Sequence, residues 1–238
     1  MPKTISSGEC RLCNATFTKA AISRHLAACL QSSIRDEPAG RDRGTQSRKP
    51  FFHLVLEGRY LPHYWLHLAV PAERTLGDLD SVLRAIWLEC CGHLSAFRIA
   101  RPLQKRPSGG YFVSVPEEDE EELKGRPIGQ ALAPGDHFTY EYDFGSTTEL
   151  KGRVLAELAP SFPKRKIHLL ARNAPPGVRC GQCGKSGTLV CSQCFWEGAG
   201  ALCDDCAKTH ECGEEMLLLV VNSPRMGVCG YCGPSREP

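Results

Sequence analysis

Residues 180–212 read CGQCGKSGTLVCSQCFWEGAGALCDDCAKTHEC. Seven of these thirty-three residues are cysteines and one is a histidine, spaced C-x2-C-x7-C-x2-C-x8-C-x2-C-x3-H-x1-C. Eight thiol and imidazole ligands satisfy two four-coordinate ions, and tetrahedral Zn²⁺ is the ion that such sets suit. Sequential pairing puts Cys180, Cys183, Cys191 and Cys194 on one ion. Interleaved pairing, as in MYND-like cross-brace modules, puts Cys180, Cys183, Cys203 and Cys206 on one ion and Cys191, Cys194, His210 and Cys212 on the other. The interleaved form is favoured, because the C-x3-H-x1-C ending partners the second CxxC knuckle and interleaving ties a short chain together better. A catalytic zinc needs an open position for water. Eight ligands for two ions leave none, so the expected role is structural. No CxxC sits where a strand feeds a helix, which sets aside a thioredoxin-like redox role.

The rest of the chain fits a metal reading of its cysteines. There are fourteen, with CxxC pairs also at Cys10/Cys13 and Cys229/Cys232. The N-terminal MPKTISSGECRLC has no apolar core segment, and no apolar run reaches the ~18 residues of a membrane span. A cytoplasmic protein is expected, and in a reducing cytosol CxxC pairs read as metal ligands before disulfides. Cys229 and Cys232 could bind a further ion with ligands from elsewhere, replace one of the eight, or remain reduced thiols, and they stay outside the ligand list.

Near the N-terminus, CRLCNATFTKAAISRHLAAC has the pattern C-x2-C-x11-H-x3-C from Cys10 to Cys29. Cys10 and Cys13 on a knuckle, with His25 and Cys29 on a helix over 18–29, would enclose one zinc ion as a C2HC finger. Phe17, Ile22 and Leu26 supply its apolar marks. About three zinc ions per chain are therefore expected. Residues 31–50 are polar, with no apolar periodicity, and read as a flexible linker whose arginines are first targets for proteolysis.

Residues 51–173 read as an α+β domain with a central antiparallel sheet and a packed helix. FFHLVLEG and YWLHLAV are strands joined through GRYLPH. TLGDLDSVLRAIWLE is the clearest helix, with Thr75 as cap, Asp78 three residues on, and Leu79, Val82, Leu83, Ile86 and Trp87 on one apolar face. Gly92 is expected to end it. SAFRIA, GYFVSV, HFTYEYDF, ELKGRVLAEL and KIHLLA follow as strands. Residues 174–238 form the C-terminal module and tail, in which MLLLVV reads as a strand.

Several other groupings invite chemistry and have plainer readings. Cys90 and Cys91, with His93 nearby, could supply a nucleophile, but small cysteines packing at a helix end are the stronger reading. In HFTYEYDF, Glu141 and Asp143 alternate with aromatic residues and read as a solvated sheet face. EEDEEE at 117–122 reads as a solvated loop. His63 and His67, four apart on a strand, lie ~13 Å from each other, too far to share an ion.

WLECCGHLSAF (87–97) followed by FTYEYDFG (138–145) resembles the plasmid pRiA-type open-reading-frame-three-like family. HECGEEMLLLVVNSPRMGVCGYCG (210–233) is similar to that family's zinc-bearing branch. The resemblance covers most of residues 50–232. It implies a compact α+β fold and a link to bacterial plasmids and insertion elements, where a member is a passenger protein, without supplying a mechanism. Many members continue YEYDFG with an Asp and soon a Trp, where this chain has Ser146, Thr147 and Thr148.

Charge bounds the partner. Residues 1–50 carry nine Lys/Arg against four Asp/Glu, a net of +5, and residues 51–238 carry twenty against twenty-three, a net of −3. Weak, non-specific nucleic-acid contact is thus expected only through the N-terminal region, from Arg11, Lys19 and Arg24 of the finger and the linker arginines. Aligned on His25, the finger's reading positions are Thr18, Ala21 and Arg24, and only Arg24 can grip a base edge. The leading expectation is a zinc-binding, non-enzymatic adaptor with a protein partner and no membrane contact. The alternatives are an enzyme with its site on the central sheet, at Glu141 and Asp143 or Cys91 and His93, and a DNA-binding accessory factor of transposition.

Overall fold

On strands β3 (Phe51–Gly58) and β4 (Trp65–Pro71), residues facing opposite ways are both buried, which is why their sequences run apolar without a polar face. Phe52, Leu54, Leu56, Leu66, Leu68 and Val70 point into one core. Phe51, Trp65 and Ala69 point into a second core on the opposite face. The computed structural model describes residues 6–35, 49–100, 120–159, 162, 165–198 and 200–234. GYFVSV and residues 36–48 of the expected linker lie outside the described residues.

The two strands sit at the centre of an eight-stranded antiparallel sheet. Its order is β2 (Thr16–Thr18), β1 (Ser7–Cys10), β8 (His168–Asn173), β4, β3, β7 (Thr148–Leu158), β6 (His137–Tyr142), β5 (Ser95–Ala100). The first core is closed by helix α2 (Leu76–Leu83) and the turns after it. Its start follows the expected chemistry: the Thr75 hydroxyl accepts from the Asp78 amide and the Asp78 carboxylate accepts from the Thr75 amide, both at 3.0 Å. The end departs from expectation. The α-helix stops at Leu83 and a wider π-type turn follows over Arg84–Leu88. Ile86, Trp87 and Leu88 are consecutive and all buried, which one stripe of a regular helix does not accommodate. Gly92 lies beyond this turn in a left-handed conformation, φ 72°, and is a loop residue rather than the helix stop.

The N-terminal segment is part of the same sheet. β1 pairs with β8, and helix α1 (Lys19–Arg35) lays Ile22, Leu26 and Leu30 into the second core beside Phe51, Trp65 and Leu170. A side chain on Gly8 would put its Cβ 2.2 Å from the Arg172 carbonyl oxygen and 2.5 Å from the Trp65 ring, so only glycine lets β1 approach this closely. Because Leu30 extends the Ile22–Leu26 stripe by one more turn, the helix continues past residue 30 to Arg35, into what reads as linker.

Two further expectations change. Glu120–Glu122 open the short helix α3 (Glu120–Gly125), where carboxylates suit the positive helix end, rather than lying in a loop. β6 stops at Tyr142. Asp143 turns into a left-handed conformation at φ 63° and is buried, so Glu141 and Asp143 do not share a solvated face. Helix α4 (Ile128–Ala131) completes this part of the chain.

The C-terminal region has its own three-stranded sheet, in the order β10 (Ala201–Leu202), β9 (Leu189–Cys191), β11 (Leu217–Leu219), with the short helix α5 (Asp204–Ala207). MLLLVV supplies only three strand residues. The chain then returns to the large sheet: the Asn173 and Asn222 side chains bond to each other at 2.6 Å, and the Ser223 hydroxyl donates to the Trp87 carbonyl at 2.6 Å. Residues 223–228 are buried there. Among the described residues no helix is long and apolar enough to cross a membrane.

Candidate metal centres

Cys10 ends β1, and the chain turns back through Cys13, with the Asn14 amide donating to the Cys10 carbonyl at 2.8 Å and Asn14 left-handed at φ 58°. His25 and Cys29 stand four apart on α1 and so share a face. The ligand atoms of Cys10, Cys13, His25 and Cys29 all lie within 4.8 Å of one another, His25 Nε2 being 3.3 Å from the Cys13 sulfur. Phe17 stacks on the His25 ring at 3.8 Å between centroids and fixes its plane. Burial, then the neighbouring Cys10 and Cys13 sulfurs, push the Cys29 thiol up to about 12. Thiolates this close repel unless a cation sits among them.

Two more groups form in the C-terminal module. Cys180, Cys183, Cys203 and Cys206 converge, with the Cys183 and Cys203 sulfurs 3.6 Å apart. Cys191, Cys194, His210 and Cys212 converge likewise, the Cys194 sulfur lying 3.6 Å from His210 Nε2 and 3.5 Å from the Cys212 sulfur. A tetrahedral ion with metal–sulfur bonds of about 2.3 Å sets its sulfurs about 3.8 Å apart. The knuckles therefore alternate between the two groups along the chain, in the interleaved arrangement. The first knuckle is held open by a left-handed Gly184, φ 74°, and by the Cys180 amide donating to the Lys185 carbonyl at 2.8 Å. Backbone amides aimed at the sulfur stabilise its anion: despite burial, which opposes ionisation, those of Cys183, Cys203 and Gln182 bring the Cys180 thiol down to about 6. In the same group, hydrogen bonds with Cys183 and Cys203 push Cys206 up to about 12. Each of these groups can hold a metal ion with four protein ligands.

Among the described residues there is a fourth such group. It joins Cys90, Cys91 and His93 to Cys229. Sequence reading treats Cys90 and Cys91 as helix-end packing and gives His93 no partner; Cys229 lies 136 residues beyond His93, and nothing local links them. The available signal is arithmetic. Ten of the fourteen cysteines fall in the three groups above, which leaves Cys90, Cys91, Cys229 and Cys232 to account for. Cys232 joins none of the groups.

Of the other sequence-marked residues, only Asp143 comes near the fourth group, its carboxylate lying 3.7 Å from His93 Nε2. Glu141 pairs with Arg98 at 3.4 Å, while Asp143 accepts from the buried Arg225 at 2.6 Å. His63 precedes β4 and is not part of a metal group. His67 instead meets His53 across β3 and β4, ring nitrogens 2.9 Å apart, a pair that reading along one strand does not show. Of the basic residues, Lys19 is committed to the Glu57 carboxylate and the Pro62 carbonyl. Arg11 lies 3.7 Å from Glu9, and Arg24 is exposed. Two cavities of about 420 and 360 Å³ meet at Arg11 and Arg172, and none of Glu141, Asp143, Cys91 or His93 lines either.

No protein-family model matches the chain, and no curated protein does. Among solved structures it is similar to a protein of unknown function, MM3350, from Methanosarcina mazei Go1, at 21% identity and a TM-score of 0.41, over 53% of this chain and 70% of that one.

Proposed function

We propose that the chain is a zinc-binding, non-enzymatic adaptor of the plasmid pRiA-type open-reading-frame-three-like family, linked to mobile genetic elements. The observation that carries the reading is the pair of interleaved four-ligand groups in the C-terminal module. Thiolate-rich sets with one imidazole suit zinc, and four protein ligands leave no position for a reacting water. The ions hold shape: a module with β-strands of two and three residues has too little core to fold on apolar burial alone.

The partner is a protein. Leu94 and Phe144 are 72% and 48% exposed, and stand on neighbouring segments where the Asp143 amide donates to the Leu94 carbonyl at 2.9 Å. Exposed large apolar side chains on adjoining segments support protein contact. Nucleic-acid contact through Arg11 and Arg24 is weak and accessory, since Lys19 is already paired.

The test is capture on immobilised, metal-replete protein from nuclease-treated lysate, alongside a Leu94→Ser/Phe144→Ser variant with unchanged metal content. The reading expects a stoichiometric protein partner that survives nuclease treatment and is lost in the variant. Capture that depends on nucleic acid, or tight sequence-dependent DNA binding by the purified chain, contradicts it.

A further inference from the structure

We propose that Cys90, Cys91, His93 and Cys229 form a fourth metal site, for a borderline-soft divalent cation of the zinc class, which fastens the C-terminal segment to the large sheet. Their ligand atoms lie within 4.8 Å of one another, the same convergence as in the three other groups. His93 Nε2 is 3.2 Å from the Cys229 sulfur. Three sulfurs and one imidazole fill a tetrahedral shell.

The surroundings are built for that shell. Cys90 and Cys91 follow the π-type turn, and the loop is pinned by Glu89, whose carboxylate accepts from the Gly92 amide at 2.6 Å and from Arg84 at 2.8 Å. The His93 ring stands edge-on to Tyr142 at 5.8 Å. Cys229 arrives from the tail at φ 49°, a left-handed conformation unusual for a side chain-bearing residue, between two left-handed glycines, Gly227 and Gly230.

Behind the cluster lies Arg225, whose side chain is fully buried. It donates to the Cys90 sulfur at 3.5 Å, to the Asp143 carboxylate at 2.6 Å, to the Ser146 carbonyl at 3.1 Å and to the Thr148 hydroxyl at 3.0 Å. Three thiolates and one divalent ion leave a net charge of −1, and the Asp143 carboxylate beside them brings the total to −2; the one guanidinium, donating to both the Cys90 sulfur and Asp143, offsets half of it. Groups that orient and neutralise ligands in this way tune a site's affinity. The consequence is mechanical: Cys229 belongs to the C-terminal segment and the other three ligands to the loop after α2, so one ion ties two distant parts of the chain.

The test uses the full chain as purified, without added metal, in two readouts. In native alkylation mapped by peptide, Cys232 labels at once, whereas Cys90, Cys91 and Cys229 label only after a chelator is added. Element-resolved mass spectrometry gives four zinc ions per chain, falling to three in Cys229→Ser and unchanged in Cys232→Ser. Labelling of Cys90, Cys91 and Cys229 without chelator, or protection released by a reductant alone, overturns the site. So does a metal count that Cys229→Ser leaves unchanged. The peptide readout needs no variant and reports each group separately, so failure here is distinguishable from failure of the two interleaved groups behind the adaptor reading.

Discussion

The Arg225 guanidinium donates to the Asp143 carboxylate at 2.6 Å, joining the C-terminal tail to the end of β6 with the arginine side chain fully buried and that of Asp143 8% exposed. Burial alone would hinder Asp143 from ionising, but Arg225 and the Ser146 and Gly145 amides hold its carboxyl below the usual range. Arg225→Met leaves a buried carboxylate without its cation, and breaking such a pair costs about 3–5 kcal/mol. Urea unfolding should show that loss, with Arg225→Met/Asp143→Asn recovering part of it. A loss under 1 kcal/mol would mean that the pair is solvated.

The N-terminal segment should behave as a docked element. β1 pairs with β8, and Ile22, Leu26 and Leu30 are buried against the sheet, each contributing about 1.5–3 kcal/mol. After proteolysis between residues 36 and 48, the N-terminal fragment should co-elute with the remainder in size exclusion and separate only in denaturant. Immediate separation would restore the picture of a finger on a tether.

Nucleic-acid affinity should be insensitive to Lys19, whose ammonium already contacts Glu57 and the Pro62 carbonyl. Arg24→Ala should lower the slope of log affinity against log salt by about one unit, the share of one phosphate contact. Titration of single- and double-stranded probes at several salt concentrations checks this. A larger effect from Lys19→Ala than from Arg24→Ala contradicts it.

The buried His53–His67 pair makes stability fall in mild acid. Burial lowers His53 to about 4, and burial with the charges of His53 and Lys19 lowers His67 to about 3. The unfolded chain protonates these rings near pH 6.5, so between about 6.5 and 4 it binds more protons than the folded one. Stability from the neutral pair is fully present above that window. It is lost as pH falls through it, by up to about 1.4 kcal/mol per pH unit per ring. Urea midpoints from pH 7.5 to 5 should fall less steeply in His53→Gln than in the parent chain. Equal slopes would show that the rings titrate as in water.

What the sequence could disclose followed from how local each signal was. The Thr75/Asp78 cap, the strands around Leu54 and Leu68 and the finger spacing from Cys10 to Cys29 are all written within a few turns of chain. Contacts that depend on tertiary placement were not legible. Nothing near Cys91 announces Cys229, and nothing along β4 announces that His67 faces His53. Asp143 misled because period-two alternation assumes that the strand continues, and here the backbone turns left-handed one residue past Tyr142. The finger reads as separate because its four ligands lie within one short segment, Cys10 to Cys29, while Gly8, which lets β1 dock on the sheet, carries no pattern of its own.

Zinc-edge X-ray absorption on the chain purified without added metal distinguishes closed structural metal sites at the cysteine and histidine groups from open ones. Closed sites give four-coordinate zinc with a dominant sulfur shell at about 2.3 Å, a minor nitrogen shell at about 2.0–2.1 Å and no bound water oxygen. A spectrum requiring an oxygen ligand on a substantial share of the zinc, or a protein that folds with no zinc at all, would contradict closed structural sites.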